Sequence, residues 1–200
     1  GTTTGFNGYS GIEANNSSAG TSLTINAATT TGGEDGIDAD NEGSGALSIT
    51  TTGTTTGTSG DGINAYNKST GTDLTINAAT TTGATDGIDA RNKGTGALSI
   101  TTTGTTTGTI GDGINADNSS AGTSLTIDAA TTTGDNVGIQ ARNWGTGALS
   151  ITTTGTTTGT KYDGIKAFNS SAGTGLTINA ATTTGGIDGI YADNNGTGAL

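Results

Sequence analysis

The chain contains no cysteine and no histidine among its 200 residues. Disulfides, thiol nucleophiles, zinc sites of the usual kind and histidine general bases are therefore excluded together, and most familiar enzyme chemistry goes with them. Positive charge is scarce: six Lys and Arg face seventeen Asp and Glu, for a net charge of -11. That balance argues against nucleic acid and anionic membrane surfaces as partners. Hydrophobic residues make up 28% of the chain and aromatics 4%, too little for one compact globule of this length. No run approaches the length of a membrane-spanning helix, so no membrane insertion is expected, and none reads as a signal peptide. Such a composition would fit disorder but for its regularly placed Ile, Leu and Thr.

What the chain has is repetition. Gly-Ile-x-Ala-x-Asn recurs eight times, with its Gly at 11, 36, 62, 87, 113, 138, 164 and 189, so the spacing alternates between 25 and 26 residues. Gly-Ala-Leu recurs every 51 residues, at Gly45, Gly96, Gly147 and Gly198. Each 51-residue unit is thus a doublet of related half-repeats. A period in this range signals a solenoid, in which each repeat buries its apolar face against its neighbours. Residues 1–200 read as one continuous solenoid segment, expected to be an excerpt of a longer array.

Each half-repeat runs from Gly-Ile-x-Ala-x-Asn through a polar turn to Leu-x-Ile and a run ending Thr-Thr-Thr-Gly. Same-side residues such as Ile63, Ala65 and Asn67, or Leu74, Ile76 and Ala78, lie two apart, which is the period of a strand. The expected fold is all-β: a single-stranded parallel β-helix of about eight turns, rising about 4.8 Å per turn into a rod about 40 Å long. Ile12 through Ile190 and Ala14 through Ala192 should form inward columns, with a second set from Leu23 through Leu200 and Ile25 through Ile178.

The motif closes on Asn in every copy: Asn16, Asn41, Asn67, Asn92, Asn118, Asn143, Asn169 and Asn194. Stacked amides can hydrogen-bond one another and the turn backbone. Asn67-Lys68-Ser69 also matches a glycosylation triplet, but a ladder needs Asn at every turn whereas a sequon does not. Carrying the parity of Leu74 and Ile76 forward predicts that only the middle Thr81 of its Thr-Thr-Thr-Gly faces outward; Thr81 and Thr106 are the positions an ice-binding Thr array should depend on.

The stretches Asp86-Gly87-Ile88-Asp89-Ala90-Arg91-Asn92 and Gly96-Ala97-Leu98-Ser99-Ile100-Thr101-Thr102-Thr103-Gly104 resemble the repeats of bacterial autotransporter passenger regions and related surface adhesins. The resemblance extends over the whole chain. It implies a right-handed β-helix and an extracellular or cell-surface location, and it specifies no ligand, since such passengers carry many activities.

Variation among the copies concentrates between Thr-Thr-Thr-Gly and the turn after Asn, as in Phe6, Asn7, Gly8 and Tyr9 of the first copy, and every aromatic residue lies in that arc. One outward column reads Glu13, Asp38, Asn64, Asp89, Asn115, Gln140, Lys166, Tyr191, and its neighbour Asn15, Asp40, Tyr66, Arg91, Asp117, Arg142, Phe168, Asp193. Cation–π contacts are expected for Tyr66 with Arg91 and for Arg142 with Phe168, and a charge ladder for Arg91, Asp117 and Arg142. With Trp144, Tyr162 and Tyr191 these residues form either a partner-binding stripe or a solvated face that has drifted freely.

Asp precedes Gly-Ile at Asp35, Asp61, Asp86, Asp112, Asp163 and Asp188. The expected role is a turn whose carboxylate accepts backbone N–H bonds; calcium held between rungs, helped by Glu34, Asp38, Asp40 and Glu42, is the alternative. No other cofactor is expected, and no catalysis, because the acids repeat with the scaffold and form no singular pair. The composite expectation is a rigid stalk or adhesive scaffold that binds a host or matrix glycan or protein. Copies joined end to end as a filament, or a Thr array that binds ice, are the alternatives.

Overall fold

The computed structural model describes residues 1–6 and 8–200; Asn7, placed above in the variable arc, lies outside them. The described chain is all-β, with parallel strands stacked into a solenoid of about eight turns and no helix among the described residues. Among the described residues no helix is therefore long and apolar enough to cross a membrane. Each turn supplies a Gly-Ile strand such as Ile88–Asn92, a Leu-x-Ile strand such as Leu74–Ala78 and a Thr strand such as Thr80–Gly83. In later turns the last two merge, as in Leu98–Gly108 and Leu125–Gly134. The Gly-Ile strands form one eight-stranded sheet; the other segments form an eleven-stranded sheet.

Like stacks on like. Ile88 pairs with Ile63 on one side and Ile114 on the other, and Leu98 with Leu74 and Leu125. β-Branched and leucine side chains pointing in from both sheets fill the narrow interior, and Ile63, Leu74, Ile76, Ile88, Leu98 and Ile100 are fully buried. The predicted apolar columns are therefore the core from Ile25 to Leu176, while Ile190 and Leu200, expected to point inward, are exposed at the last turn, where no following turn covers them.

The corner after Asn is held by the amide ladder. Asn67 Nδ2 donates to Asn92 Oδ1 at 2.8 Å, Asn92 to Asn118 at 3.1 Å and Asn118 to Asn143 at 2.9 Å. The row extends from Asn16 through Asn41 to Asn67 and from Asn143 through Asn169 to Asn194. Second bonds run to the turn backbone: Asn143 Nδ2 donates to the Gly147 carbonyl at 3.0 Å, and Asn92 Oδ1 accepts from Gly94 N–H at 3.1 Å. Asn67 is completely buried, so its amide is a structural part and no accessible glycan acceptor.

The Thr parity is the reverse of the expectation. Thr30, Thr55, Thr81, Thr106, Thr132 and Thr157, the middle members of their runs, are fully buried. Ala78 and Thr81 both point inward with only Ala79 and Thr80 between them, at the break between two strands. In the shorter half-repeats the alternation slips by one residue at that corner, whether the strand breaks there, as at Ala79, or runs on, as in Leu125–Gly134. In the longer half-repeats Gly104 supplies one extra residue, seen as a register shift between Thr102 and Thr105.

The buried Thr explains the glycine before each inward Ile. A Cβ on Gly87 would stand 2.7 Å from Thr106 Cγ2 and 2.5 Å from the Gly113 carbonyl oxygen, and one on Gly62 would stand 2.9 Å from Thr81 Cγ2. The methyls of Thr55, Thr81, Thr106, Thr132 and Thr157 thus pack where a side chain would otherwise sit. None of their hydroxyls, nor that of Thr30, has a hydrogen-bond partner.

Thr106→Val, which keeps the shape and removes an unpartnered hydroxyl, should stabilise the fold by about 1 kcal/mol. Gly87→Ala should destabilise it by about 1–3 kcal/mol through overpacking. Asn118→Ala should cost roughly 2–4 kcal/mol by leaving Asn92 and Asn143 short of partners. Thermal unfolding followed by circular dichroism checks all three, and a Thr106→Val protein that melts below the parent would contradict the first.

Candidate functional site

The outer face of the eight-stranded sheet carries the variable residues, because every x of Gly-Ile-x-Ala-x-Asn alternates with a buried neighbour. The register places Tyr66 beside Arg91, Arg91 beside Asp117, Asp117 beside Arg142, and Arg142 beside Phe168. Tyr191 follows Lys166 in the parallel column. A third column consists of the residues after each Asn: Trp144 N–H bonds to the Asn118 carbonyl, as Lys93 does to Asn67 and Lys68 to Asn41. Tyr162 lies at the opposite margin, its N–H bonded to the Asn136 carbonyl one turn earlier. All eight candidate residues thus share one side of the rod, spread over several turns.

Their contacts differ from those expected. Arg91 turns to Asp89, with an N–O distance of 2.6 Å, and leaves Tyr66 to two lysines: Lys93 Nζ is 5.1 Å and Lys68 Nζ 5.9 Å from the ring centre. Phe168 packs on Trp144 with ring centroids 4.6 Å apart and tilted by 48°. Arg142 reaches Asp117 at 3.9 Å and Asn115 Oδ1 at 3.4 Å. The anticipated ladder keeps only its Asp117–Arg142 half. An adjacent carboxylate outcompetes a ring quadrupole for a guanidinium, and the aromatic rings pair with each other instead. Lys68 and Lys93, absent from the expected stripe, belong to the same column as Trp144, and their shared offset from Asn is the signal for it in the sequence.

Tyr162 walls an open groove of about 260 Å³ with Asp112, Asn136, Val137, Gln140 and Lys166. Gln140 Nε2 donates to Asp112 Oδ2 at 2.9 Å and so fixes one wall. Lys166 lies 5.9 Å from the Tyr191 ring centre. The groove combines an aromatic face, two amides, an ammonium and a carboxylate. A second groove of about 280 Å³, nearer the first turn, is lined by Asn15, Asn16, Ser17, Asp40 and Glu42. There Lys68 pairs with Asp40 at 2.9 Å and also with Glu42. Among the described residues no three acids gather closely enough to hold a metal ion.

The Asp column before Gly-Ile accepts backbone N–H bonds, as expected of it, and the donors lie one turn on. Asp61 N–H donates to Asp35 Oδ1 at 2.6 Å, Asp86 N–H to Asp61 at 2.9 Å, and Asp112 N–H to Asp86 at 2.6 Å. Val137 stands where the next Asp would be and donates its N–H to Asp112 at 3.0 Å. Burial raises Asp61 to about 7, against the Asp86 N–H bond and with help from the charges of Asp86, Asp89 and Asp35. Burial likewise raises Asp89 to about 6, opposed by Arg91.

Comparison with protein-family models, curated proteins and solved structures returns no match.

A carboxyl whose folded pKa lies above its unfolded value holds its proton more tightly in the fold, so it adds stability at low pH and loses that contribution as pH rises. For Asp61 the window runs from the ordinary 3.8 to about 7. The melting temperature should therefore fall between pH 5 and pH 7, the reverse of ordinary acid denaturation. Asp61→Asn, which keeps an acceptor for Asp86 N–H, should flatten this slope; an unchanged slope in a folded variant would contradict the assignment.

Proposed function

We propose that this chain is a non-catalytic, rigid β-helical scaffold of a bacterial cell-surface or secreted protein, and that its variable face binds a host or matrix glycan or protein. One observation carries the reading: change among the repeats is concentrated on one side of the rod and there places Tyr66, Arg91, Arg142, Trp144, Tyr162, Phe168 and Tyr191 along neighbouring columns. Tyr, Trp and Arg are the side chains that most often anchor interfaces. Trp144 and Tyr162 remain 42% and 49% exposed, although each has apolar or polar neighbours it could fold against.

The groove beside Tyr162 suits a sugar: a pyranose presents C–H groups to an aromatic face and hydroxyls to amides such as Asn136 and Gln140. The stacked backbone supplies the stalk. Continuous ladders in two sheets keep the columns at fixed spacing, so little ordering entropy is lost on binding. The net charge of -11 keeps such rods apart in solution.

The test is binding of the purified chain to arrays of glycans and extracellular-matrix proteins. Combined replacement of Tyr66, Arg91, Arg142 and Trp144 by Ala should lower the affinity of any ligand found by roughly 30-fold or more, as expected when anchor residues are removed. Circular dichroism should stay unchanged, since all four side chains point away from the core. Full binding by the folded quadruple variant would overturn the variable face as the binding surface, and no binding by the parent would leave a passive stalk or filament.

A further inference from the structure

The Thr strands present a second face, chemically unlike the first. With the middle Thr buried, the first and third Thr of each Thr-Thr-Thr-Gly point outward. They make two columns, from Thr2 to Thr182 and from Thr4 to Thr184. The second column is in register at each step shown by Thr4 with Thr31, Thr56 with Thr82, and Thr107 with Thr133. In the first, Thr54 faces Thr80 and Thr105 faces Thr131. No acidic, basic or aromatic residue occurs in any Thr-Thr-Thr-Gly segment.

Two observations show that this surface is more than a by-product of the core. Outward positions on the Gly-Ile strands have diverged to Lys, Arg, Gln, Tyr and Phe, whereas both outward positions of Thr-Thr-Thr-Gly are Thr in all eight copies. Recent duplication would have left both faces equally uniform. The bulge glycine, moreover, is required by the surface: a Cβ on Gly104 would stand 2.5 Å from Thr80 Oγ1, and one on Gly53 would stand 2.5 Å from Thr29 Oγ1. Gly53 and Gly104 thus leave room for the outward hydroxyls beside them.

The result is a regular grid of paired methyl and hydroxyl groups, repeating about every 4.8 Å across the strands and about 6.6 Å along them. Thr χ1 is restricted by its branched Cβ, so the grid is set before any ligand arrives. The face carries no charged group, so only its hydroxyls orient the water beside it. Its two repeats lie close to those of the water oxygens on the prism face of hexagonal ice. We propose that this Thr face binds an ice surface through an ordered layer of water, with methyls seated between water rings and hydroxyls completing the hydrogen-bonded net. The site is separate from the variable face and does not depend on the adhesive reading; a rod carrying both could hold its bearer to ice on one side and to a partner on the other.

The test is partition of the fluorescently labelled chain into slowly growing ice, with thermal hysteresis measured on the same sample. The parent should concentrate in the ice and separate the freezing and melting points. Thr107→Tyr with Thr133→Tyr places bulk on the grid without touching the core, and should reduce both effects by about tenfold or more. Asn64→Ala, on a Gly-Ile strand and outside both the Thr grid and the proposed partner-binding residues, should leave both unchanged. Exclusion of the folded parent from ice, or equal activity in the folded Tyr variant, would overturn the proposal. So would Tyr-sensitive binding to crystalline cellulose or chitin by a parent that ice excludes, since the grid would then serve another lattice.

Discussion

Parallel stacking in register sets each residue about 4.8 Å from the same position of the turns above and below. Any side chain used at every turn must therefore tolerate its own copy. Asn does so best, because one amide end donates to the acceptor end of the next, from Asn41 to Asn67 and on to Asn92. Ile and Leu do so by interdigitation, Thr by presenting its methyl to the preceding glycine. Asp does so only by engaging the backbone of the neighbouring turn, as Asp86 engages Asp112 N–H. The low hydrophobic content is then no obstacle: a narrow interior between two sheets needs only a few apolar atoms per turn.

The same constraint made the fold legible from sequence. Ile at each Gly-Ile and Asn at each motif end are periodic to within one residue, and that periodicity translates directly into columns. Legibility ended where the chain turns a corner. Counting from Leu74 puts Thr81 outward, yet the alternation slips by one residue at the corner, at Ala79 and also inside the unbroken strand Leu125–Gly134. Gly104 and the one-residue difference between half-repeats were the visible signs of that corner. Their steric meaning emerged only with the position of Thr80 and Thr106.

For the candidate site, membership was more legible than contact. Register places Tyr66 against Arg91 and Arg142 against Phe168 as read from the repeats, but adjacency does not choose among competing partners. Asp89 is nearer in energy to Arg91 than an aromatic ring is, and Trp144 is a better neighbour for Phe168 than a guanidinium held by Asp117. Lys68 and Lys93 join the face from positions that sequence reasoning gave to a turn. Two faces of opposite character result: one heterogeneous and charged, the other uniform and neutral.

Each bond of the Asn row has the same direction, with Nδ2 of one turn donating to Oδ1 of the turn that follows it in sequence, from Asn16 to Asn194. Aligned amide dipoles add, and each polarises the next. The rod therefore has an electrical polarity along its axis, with acceptor character toward its first turn and donor character toward its last. Two such rods are equivalent side by side only when they point the same way, which gives a molecule of nearly identical repeats an intrinsic head and tail.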